Sequence, residues 1–356
     1  MSTDLLIYLV AAVIAVPIAK RFGLGSILGY LVAGAIIGPV LHLVDTGHAE
    51  GGHTNPVSAI AEMGVVMMLF VIGLELEVKH LWAMRKQVFR GGTLQVLVCG
   101  LALAGGLALL GIDGRAAIVC GLALALSSTA IAMQTMKDRA VEKTSIGQST
   151  FAILLFQDMA AIPLLALIPL LSPEVGESSG SGALGVVYAL GAIAAVVVFG
   201  LFLSRPLLRL IAGTGVREIF TAFALLLVLG VGELMHLAGL SMGLGAFLAG
   251  VLLASSEYKH ALEADLDPFK GLLLGLFFIA IGMGIKLSLF AEVPLTIVGL
   301  LVGFVFIKLL TLRYVGHLLK VPTRQAWLLA ALIGQGGEFA FVVFGEALKV
   351  KLLDQH

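Results

Sequence analysis

Long apolar runs separated by short polar connections make up most of the sequence. A helix needs about 20 mostly apolar residues to cross a bilayer, whereas a membrane-spanning strand alternates apolar and polar positions. None of the runs alternates in this way, so the pattern predicts an all-α membrane protein. Twelve segments satisfy the helix criterion, at 4–20, 26–43, 58–75, 93–111, 116–136, 146–171, 183–203, 217–236, 240–255, 269–286, 293–316 and 325–348.

The composition is that of a chain surrounded by lipid. Hydrophobic residues make up 60% of it and charged residues only 12%, against about 25% charged residues in soluble domains. A surface so poor in charge requires the lipid bilayer as its solvent. The formal net charge is zero, which argues against a nucleic-acid partner.

Basic residues fall unevenly on the two sides that twelve crossings define. One side holds 17 Lys and Arg residues, the other side holds 4, and Lys308 lies inside a segment. Cytoplasmic loops of membrane proteins carry an excess of Lys and Arg. The chain is therefore predicted to cross the membrane many times with its N-terminus outside.

Asp158 lies in the middle of the sixth segment, in FAILLFQDMAAI, directly after the neutral Gln157. A charge at this depth is costly and marks function by default. Because a carboxyl group shielded from water holds its proton more readily, such a group can exchange a proton for a cation. Asp158 is therefore the predicted ion-binding residue, and the alternative is a carboxylate locked in a salt bridge with Lys308.

Two further ionisable residues lie inside apolar segments. Lys308, in VGFVFIKLLT, is either a counter-ion for the carboxylate site or a member of a structural ion pair, and the sequence leaves both open. Glu338 could neutralise the positive end of a helix or bind a proton. Both are treated as supporting charges.

Polar and glycine-rich stretches interrupt two of the segments. They are Ser127, Ser128 and Thr129 in the fifth segment, and Gly334, Gln335, Gly336 and Gly337 in the twelfth. Such residues weaken helices, and broken helices at membrane depth are tolerated where they line a cavity. Two interruptions at matching positions in two halves predict an inverted-repeat transporter, with Ser127, Ser128 and Thr129 near the ion. Ordinary helix–helix packing is the alternative for each.

An acidic cluster follows the ninth segment, in the connection 258–270. It holds His260, Glu263, Asp265 and Asp267 on the side otherwise rich in basic residues. This arrangement indicates a docking surface for a regulatory domain, and a plain solvated loop is the alternative.

Motifs of other functional classes are lacking in the sequence. It contains no HExxH or CxxC motif and no nucleophile–base constellation, so neither an enzyme with catalytic residues nor a metal site is predicted. The potassium-channel filter TVGYG is also missing. A channel-like efflux pathway stays open as an alternative to exchange.

Several long motifs resemble one family of transporters. They are GLEL at 73–76, SSTAIAMQ at 127–134, FQDMAAIP at 156–163, GVREIFTA at 215–222, HALEADLDPFKGLLLGLFFIAIGM at 260–283 and GQGGEFAFVVF at 334–344. Together they resemble the Kef glutathione-gated potassium efflux systems of the monovalent cation:proton antiporter-2 superfamily. The resemblance covers essentially the whole chain.

The resemblance implies a sodium/proton-antiporter-like inverted repeat with two crossed broken helices, with twelve of an expected thirteen helices present. Residues 1–356 would form a single transmembrane transporter domain, with Asp158 and Gln157 at the ion site. Its parts would be an ion-binding core (91–171 and 293–348), a homodimerisation scaffold (1–85 and 216–287) and a linker helix (183–203).

The implied activity is potassium efflux by potassium/proton antiport with alternating access, in a bacterial inner membrane. Potassium ions and protons are the expected substrates, and a sodium-selective exchanger is the nearest alternative. A cytosolic nucleotide-binding domain would dock near 258–270 and provide gating by glutathione and its conjugates. Because that domain and the thirteenth helix are expected to lie outside this chain, no glutathione, nucleotide or other cofactor site is assigned here.

Overall fold

The structure, a computed structural model, describes residues 2–21, 25–41, 43, 56–75, 85–168, 171, 191–238 and 240–353. All regular elements in these ranges are helical. They are α1 (Ser2–Arg21), α2 (Ser26–Ala35), α3 (Pro56–Glu75), α4 (Arg85–Leu109), α5 (Gly114–Ala125), α6 (Thr129–Asp138), α7 (Ser145–Leu167), α8 (191–198), α9 (Ser204–Ala212), α10 (Arg217–Leu237), α11 (Met242–Leu253), α12 (Lys259–Met283), α13 (Ser288–Glu292), α14 (Pro294–Leu318), α15 (Thr323–Ile333) and α16 (Phe339–Lys349). The π-helical turns Ile36–Val40 and Phe199–Leu203 extend α2 and join α8 to α9.

A helix overlaps each of the twelve predicted segments, so the predicted all-α fold is confirmed. Part of the predicted linker helix, 183–190, lies outside the described residues. Within the described part of the chain, six helical stretches are long and apolar enough to cross a membrane. They are Val88–Leu109, Gly114–Asp138, Ser145–Leu165, Glu218–Leu237, Lys259–Met283 and Pro294–Leu318.

The chain divides into two compact units. The first unit comprises 1–76 and 190–294, and the second comprises 77–189 and 295–356. The first unit thus holds α1–α3 and α8–α13, and the second holds α4–α7, α15, α16 and nearly all of α14. The roles of scaffold and ion-binding core expected for the two parts stay predictions.

Close helix crossings at glycine hold the first unit together. A Cβ atom added at Gly250 of α11 would overlap the carbonyl oxygen of Phe70 in α3, and one added at Gly34 of α2 would overlap that of Ile279 in α12. Small residues let membrane helices approach until their backbones touch. Apolar side chains such as Phe70 and Leu74, both completely buried, fill the space around the crossings.

In the second unit, α4 packs against α5 and α7. A Cβ atom at Gly121 of α5 would lie 2.5 Å from the carbonyl oxygen of Gly100 in α4, so this crossing also requires glycine. Buried residues of α7 and α15, among them Ile153, Leu154 and Leu329, complete an apolar cluster. These contacts position the interrupted helices and the polar residues between them.

The predicted loop at 258–270 is helical, which corrects the sequence interpretation. Helix α12 begins at Lys259, about ten residues before the predicted start of the tenth segment at 269. The stretch is polar but contains two Ala and two Leu residues together with Glu263, and these residue types favour helix. Pairs three residues apart, His260 with Glu263 and Asp267 with Lys270, lie 3.5 and 3.7 Å apart on its surface.

Candidate functional site

The first interrupted helix breaks between α5 and α6. Leu126 and Ser128 have extended backbone angles, with ψ of 146° and 113°, so helical hydrogen bonding stops at Ala125. The hydroxyl of Ser128 accepts a hydrogen bond from the amide of Ile131 at 3.4 Å and caps the new helix. Thr129, predicted to be part of the interruption, is the first residue of α6.

The second interrupted helix breaks at 334–338, between α15 and α16, as the glycine-rich stretch predicts. The two breaks touch, because the amide of Gly337 donates to the carbonyl of Leu126 at 3.2 Å. A Cβ atom at Gly337 would lie 2.8 Å from the carbonyl carbon of Ser127. The hydroxyl of Ser127 also donates to the carbonyl of Ile333 at 2.7 Å. These contacts confirm two broken helices that cross at their breaks.

Asp158 lies on α7 beside the start of α6. The hydroxyl of Thr129 is 3.0 Å from Oδ1 and 3.1 Å from Oδ2 of Asp158. The N-terminus of a helix carries a partial positive charge that stabilises a nearby carboxylate. Asp158 is neither fully buried nor fully exposed, so its carboxylate combines a fixed position with partial access.

Gln157, the residue before Asp158, contacts the same break through its side-chain amide. Its Oε1 accepts a hydrogen bond from the amide of Ser127 at 2.8 Å, and its Nε2 donates to Oε1 of Gln95 at 2.6 Å. Both glutamines are completely buried. Gln95, on α4, was not predicted as a site residue. A glutamine inside the apolar run 93–111 is the signal that could have drawn attention to it.

Lys308 does not face Asp158 as a counter-ion. Its Nζ donates to the carbonyls of Leu124 and Leu126, both at 2.9 Å, and to that of Gln335 at 2.7 Å. A lysine ammonium group has three N–H donors, and these three carbonyls use all of them. The carbonyls lie at the C-terminal ends of α5 and α15, where the helix dipole is negative. One buried charge therefore stabilises both ends.

Gln335 joins the two breaks by a two-point contact. Its Oε1 accepts from the amide of Ser128 at 2.8 Å, and its Nε2 donates to the carbonyl of the same residue at 3.0 Å. The side chain of Gln335 thus supplies the acceptor that the amide of Ser128 lost at the first break, while the carbonyl of Ser128 also accepts from the amide of Ala132 at 3.1 Å.

Glu338 lies at the N-terminus of α16 without capping it. It occupies the N-cap position but makes no side-chain hydrogen bond to the helix. Its Oε2 is buried and, among the described residues, has no hydrogen-bond partner. The position fits the predicted neutralisation of a positive helix end.

The residues of the predicted regulatory stretch belong to the first unit and differ in exposure. Asp265 is buried, and its Oδ2 accepts a hydrogen bond from the hydroxyl of Thr221 at 2.7 Å. The side chains of His260 and Asp267 are 88% and 70% exposed. Asp265 is therefore part of the helix packing, which corrects its assignment to an acidic surface, whereas His260, Glu263 and Asp267 stay accessible.

Comparison with known protein families gives a match over nearly the whole chain. The family described as "Sodium/hydrogen exchanger, transmembrane" matches residues 6–356. In solved structures, the fold is similar to that of the sodium proton antiporter MjNhaP1 from Methanocaldococcus jannaschii. The structure at pH 8 has a TM-score of 0.58 and 18% identity, covering 97% of this chain and 83% of that one. An electron-microscopy structure has a TM-score of 0.61 and 16% identity, covering 97% and 92%.

Curated relatives include proteins named "Glutathione-regulated potassium-efflux system protein KefC". Those of Enterobacter sp. (strain 638) and Cronobacter sakazakii (strain ATCC BAA-894) are 53% and 54% identical over 98% of this chain. The protein from Escherichia coli O17:K52:H18 (strain UMN026 / ExPEC) is 52% identical over the same share. The chain spans about half the length of these relatives, covering 55%, 56% and 56% of them.

Proposed function

Because the chain belongs to the sodium/hydrogen exchanger family, we propose that it exchanges a monovalent cation for a proton at Asp158. The observation that carries this proposal is the position of that carboxylate. It lies at the positive end of half-helix α6, is hydrogen-bonded by Thr129 and keeps partial access. A group placed in this way can bind either a proton or a cation.

Potassium is the cation we propose, and its outward movement is the activity. The support comes from the relatives named for potassium efflux, which are 52–54% identical to this chain. Sodium is the second candidate, because the matching family and the fold neighbour are both named for sodium. Proton flux measured with potassium and then with sodium in the same vesicles separates the two.

The mechanism follows from how the charges at the crossing are used. Lys308 donates all three of its N–H groups to carbonyls, so its charge stays with the helix ends throughout the cycle. Asp158 then binds a proton from one side of the membrane and a cation from the other side in turn. One carboxylate gives one proton for each cation and electroneutral exchange by alternating access. A channel-like pathway would instead show flux without obligatory proton movement.

Regulation by glutathione and its conjugates is proposed for a longer protein, by analogy with the relatives' names. A cytosolic nucleotide-binding domain would provide the glutathione and nucleotide sites. Docking would use residues at the start of α12, namely the exposed His260 and Asp267 and the partly exposed Glu263, but not the buried Asp265. Assembly as a homodimer through the first unit is part of the same proposal.

The test is the variant Asp158→Asn in proteoliposomes with a potassium gradient. Asparagine keeps the shape but cannot trade a proton for a cation, so potassium-dependent proton flux should fall to the level of empty vesicles. Asp138→Asn is the matched control, since Asp138 is exposed at the end of α6 and contacts Gln134. Wild-type flux in the Asp158→Asn variant would overturn the proposed function.

A further inference from the structure

Two fully buried glutamines connect the backbone on either side of the first break. Nε2 of Gln95 donates to the carbonyl of Ala125 at 3.1 Å, and Oε1 of Gln95 accepts from Nε2 of Gln157 at 2.6 Å. Oε1 of Gln157 then accepts from the amide of Ser127 at 2.8 Å. We call this chain of hydrogen bonds, from Ala125 through Gln95 and Gln157 to Ser127, the amide relay.

The direction of the amide relay is fixed by its two ends. The carbonyl of Ala125 can only accept a hydrogen bond, and the amide of Ser127 can only donate one. Each glutamine must therefore turn its NH₂ group towards Ala125 and its oxygen towards Ser127. Rotating either amide by half a turn would set two donors or two acceptors against each other, so both side chains have one permitted orientation.

The amide relay replaces backbone hydrogen bonds that the break removes. In a continuous helix, the carbonyl of Ala125 would accept from residue 129, and the amide of Ser127 would donate to residue 123. Unpaired backbone groups within a membrane are costly because no water is present to satisfy them. Gln95 and Gln157 supply the missing partners from two other helices, α4 and α7.

We propose that Gln95 is a positioning residue for the ion site, acting through Gln157 and the backbone of 125–127. The inference rests on the proposed function and deepens it. The relay holds Ser127, which leads directly into Ser128 and Thr129, and the hydroxyl of Thr129 contacts the carboxylate of Asp158. Loss of Gln95 frees the amide of Gln157 and loosens the segment that aligns Thr129 with Asp158.

The variant Gln95→Glu tests the direction of the relay through its pH dependence. A carboxyl group at this position can donate to the carbonyl of Ala125 only while it carries a proton, and buried carboxyl groups in proteins hold their proton up to about pH 8 in documented cases. Relative to wild type, flux should be close to normal at about pH 6 and fall about tenfold by about pH 9. The gap in thermal unfolding temperature between variant and wild type should widen over the same range.

Gln95→Leu lacks both hydrogen bonds at every pH. Its potassium concentration for half-maximal flux should rise about tenfold, the effect of losing one or two buried hydrogen bonds, and its deficit in unfolding temperature should not vary with pH. Gln148→Glu is the control, because Gln148 is exposed on α7 and receives the same substitution. Its flux and unfolding temperature should follow wild type at each pH.

Two results would overturn the role of Gln95. One is a Gln95→Glu variant whose flux and unfolding temperature, each relative to wild type, do not depend on pH. The other is a Gln95→Leu variant whose half-saturating potassium concentration equals that of wild type. A wild-type chain without any cation-dependent proton flux would overturn the proposed function instead. The pH dependence of the unfolding temperature would still decide whether the amide relay exists.

Discussion

The two compact units use small and polar residues in different ways. In the first unit, continuous helices cross at glycines such as Gly250 and Gly34, and apolar side chains fill the space between them. In the second unit, two helices stop at mid-length, and buried polar side chains take up the free backbone groups. Close packing at glycines pairs the helices of the first unit, whereas the interrupted helices of the second unit present backbone groups and helix ends to polar side chains.

The difference also explains where charge can be kept. A break exposes negative and positive helix ends that attract a cation and an anion. Lys308 lies at the two negative ends, whereas Asp158 lies at a positive end. In the first unit, the buried carboxyl of Asp265 is instead held by the hydroxyl of Thr221 on a neighbouring helix.

The largest effect is expected from Lys308→Ala. Hydrogen bonds to a charged donor contribute about 1.5–3 kcal/mol each, and this variant leaves three buried carbonyls without one. The free energy of unfolding should fall by at least about 3 kcal/mol, measured by thermal or denaturant unfolding in detergent. Lys349→Ala, at a half-exposed lysine, is the control. Equal stability of the two variants would mean that Lys308 does not hold the crossing.

Gly337→Ala should have the next largest effect. The new methyl group would lie 2.8 Å from the backbone of Ser127 and force the breaks apart, at about 1–3 kcal/mol for overpacking. Gly336→Ala is a neighbouring control, since a Cβ atom added at Gly336 would lie 3.7 Å from Cζ of Phe304, an ordinary van der Waals distance. The free energy of unfolding and the half-saturating potassium concentration should both change in Gly337→Ala. Neither should change in Gly336→Ala.

Gly250→Ala sharpens the comparison between the units. Its methyl group would overlap the carbonyl of Phe70 in the first unit, so the free energy of unfolding should fall by about 1–3 kcal/mol. Because no ion-binding residue is proposed there, half-saturating potassium should stay at the wild-type value in the folded fraction. A changed affinity would show that the first unit also shapes the ion site.

Thr129→Val should change ion binding more than stability. It removes the hydroxyl that contacts both oxygens of Asp158 but keeps the size of the side chain. We expect half-saturating potassium to rise about tenfold, the equivalent of one hydrogen bond to a charged group. Thr129→Ser keeps the hydroxyl and should restore binding, and flux titrations with potassium measure both variants.

The smallest effect is expected from Arg209→Ala. Arg209 contacts Glu257 at 3.0 Å, but the two side chains are 75% and 63% exposed. Exposed ion pairs contribute little because water and salt screen them. Unfolding and transport should both stay at wild-type values, and a large loss would give this surface a role that its geometry does not indicate.

The sequence predicted the positions of the helices and both breaks because local composition determines them. Apolar runs of sufficient length form membrane helices, and hydroxyl or glycine clusters within them end those helices. Asp158 could be found in the same way, since a carboxyl group inside an apolar run is unusual by itself.

Pairings across the fold could not be predicted in this way. Lys308 and Asp158 were expected to meet because their charges are opposite, but backbone carbonyls 182 and 184 residues away take the ammonium group. The burial of Asp265 likewise depends on Thr221, 44 residues earlier. A role for Gln95 could be inferred only from its partners in the fold, the carbonyl of Ala125 and the side chain of Gln157. Such partners are set by tertiary packing, which no local pattern in a single sequence contains.

The most direct test of the account is the release of protons when potassium binds. Purified protein in a weakly buffered detergent solution with a pH-sensitive dye should release about one proton for each potassium ion bound. Asp158→Asn should release none, and Asp138→Asn should match wild type. Potassium binding by wild type without proton release, or equal release by the Asp158→Asn variant, would contradict exchange at Asp158.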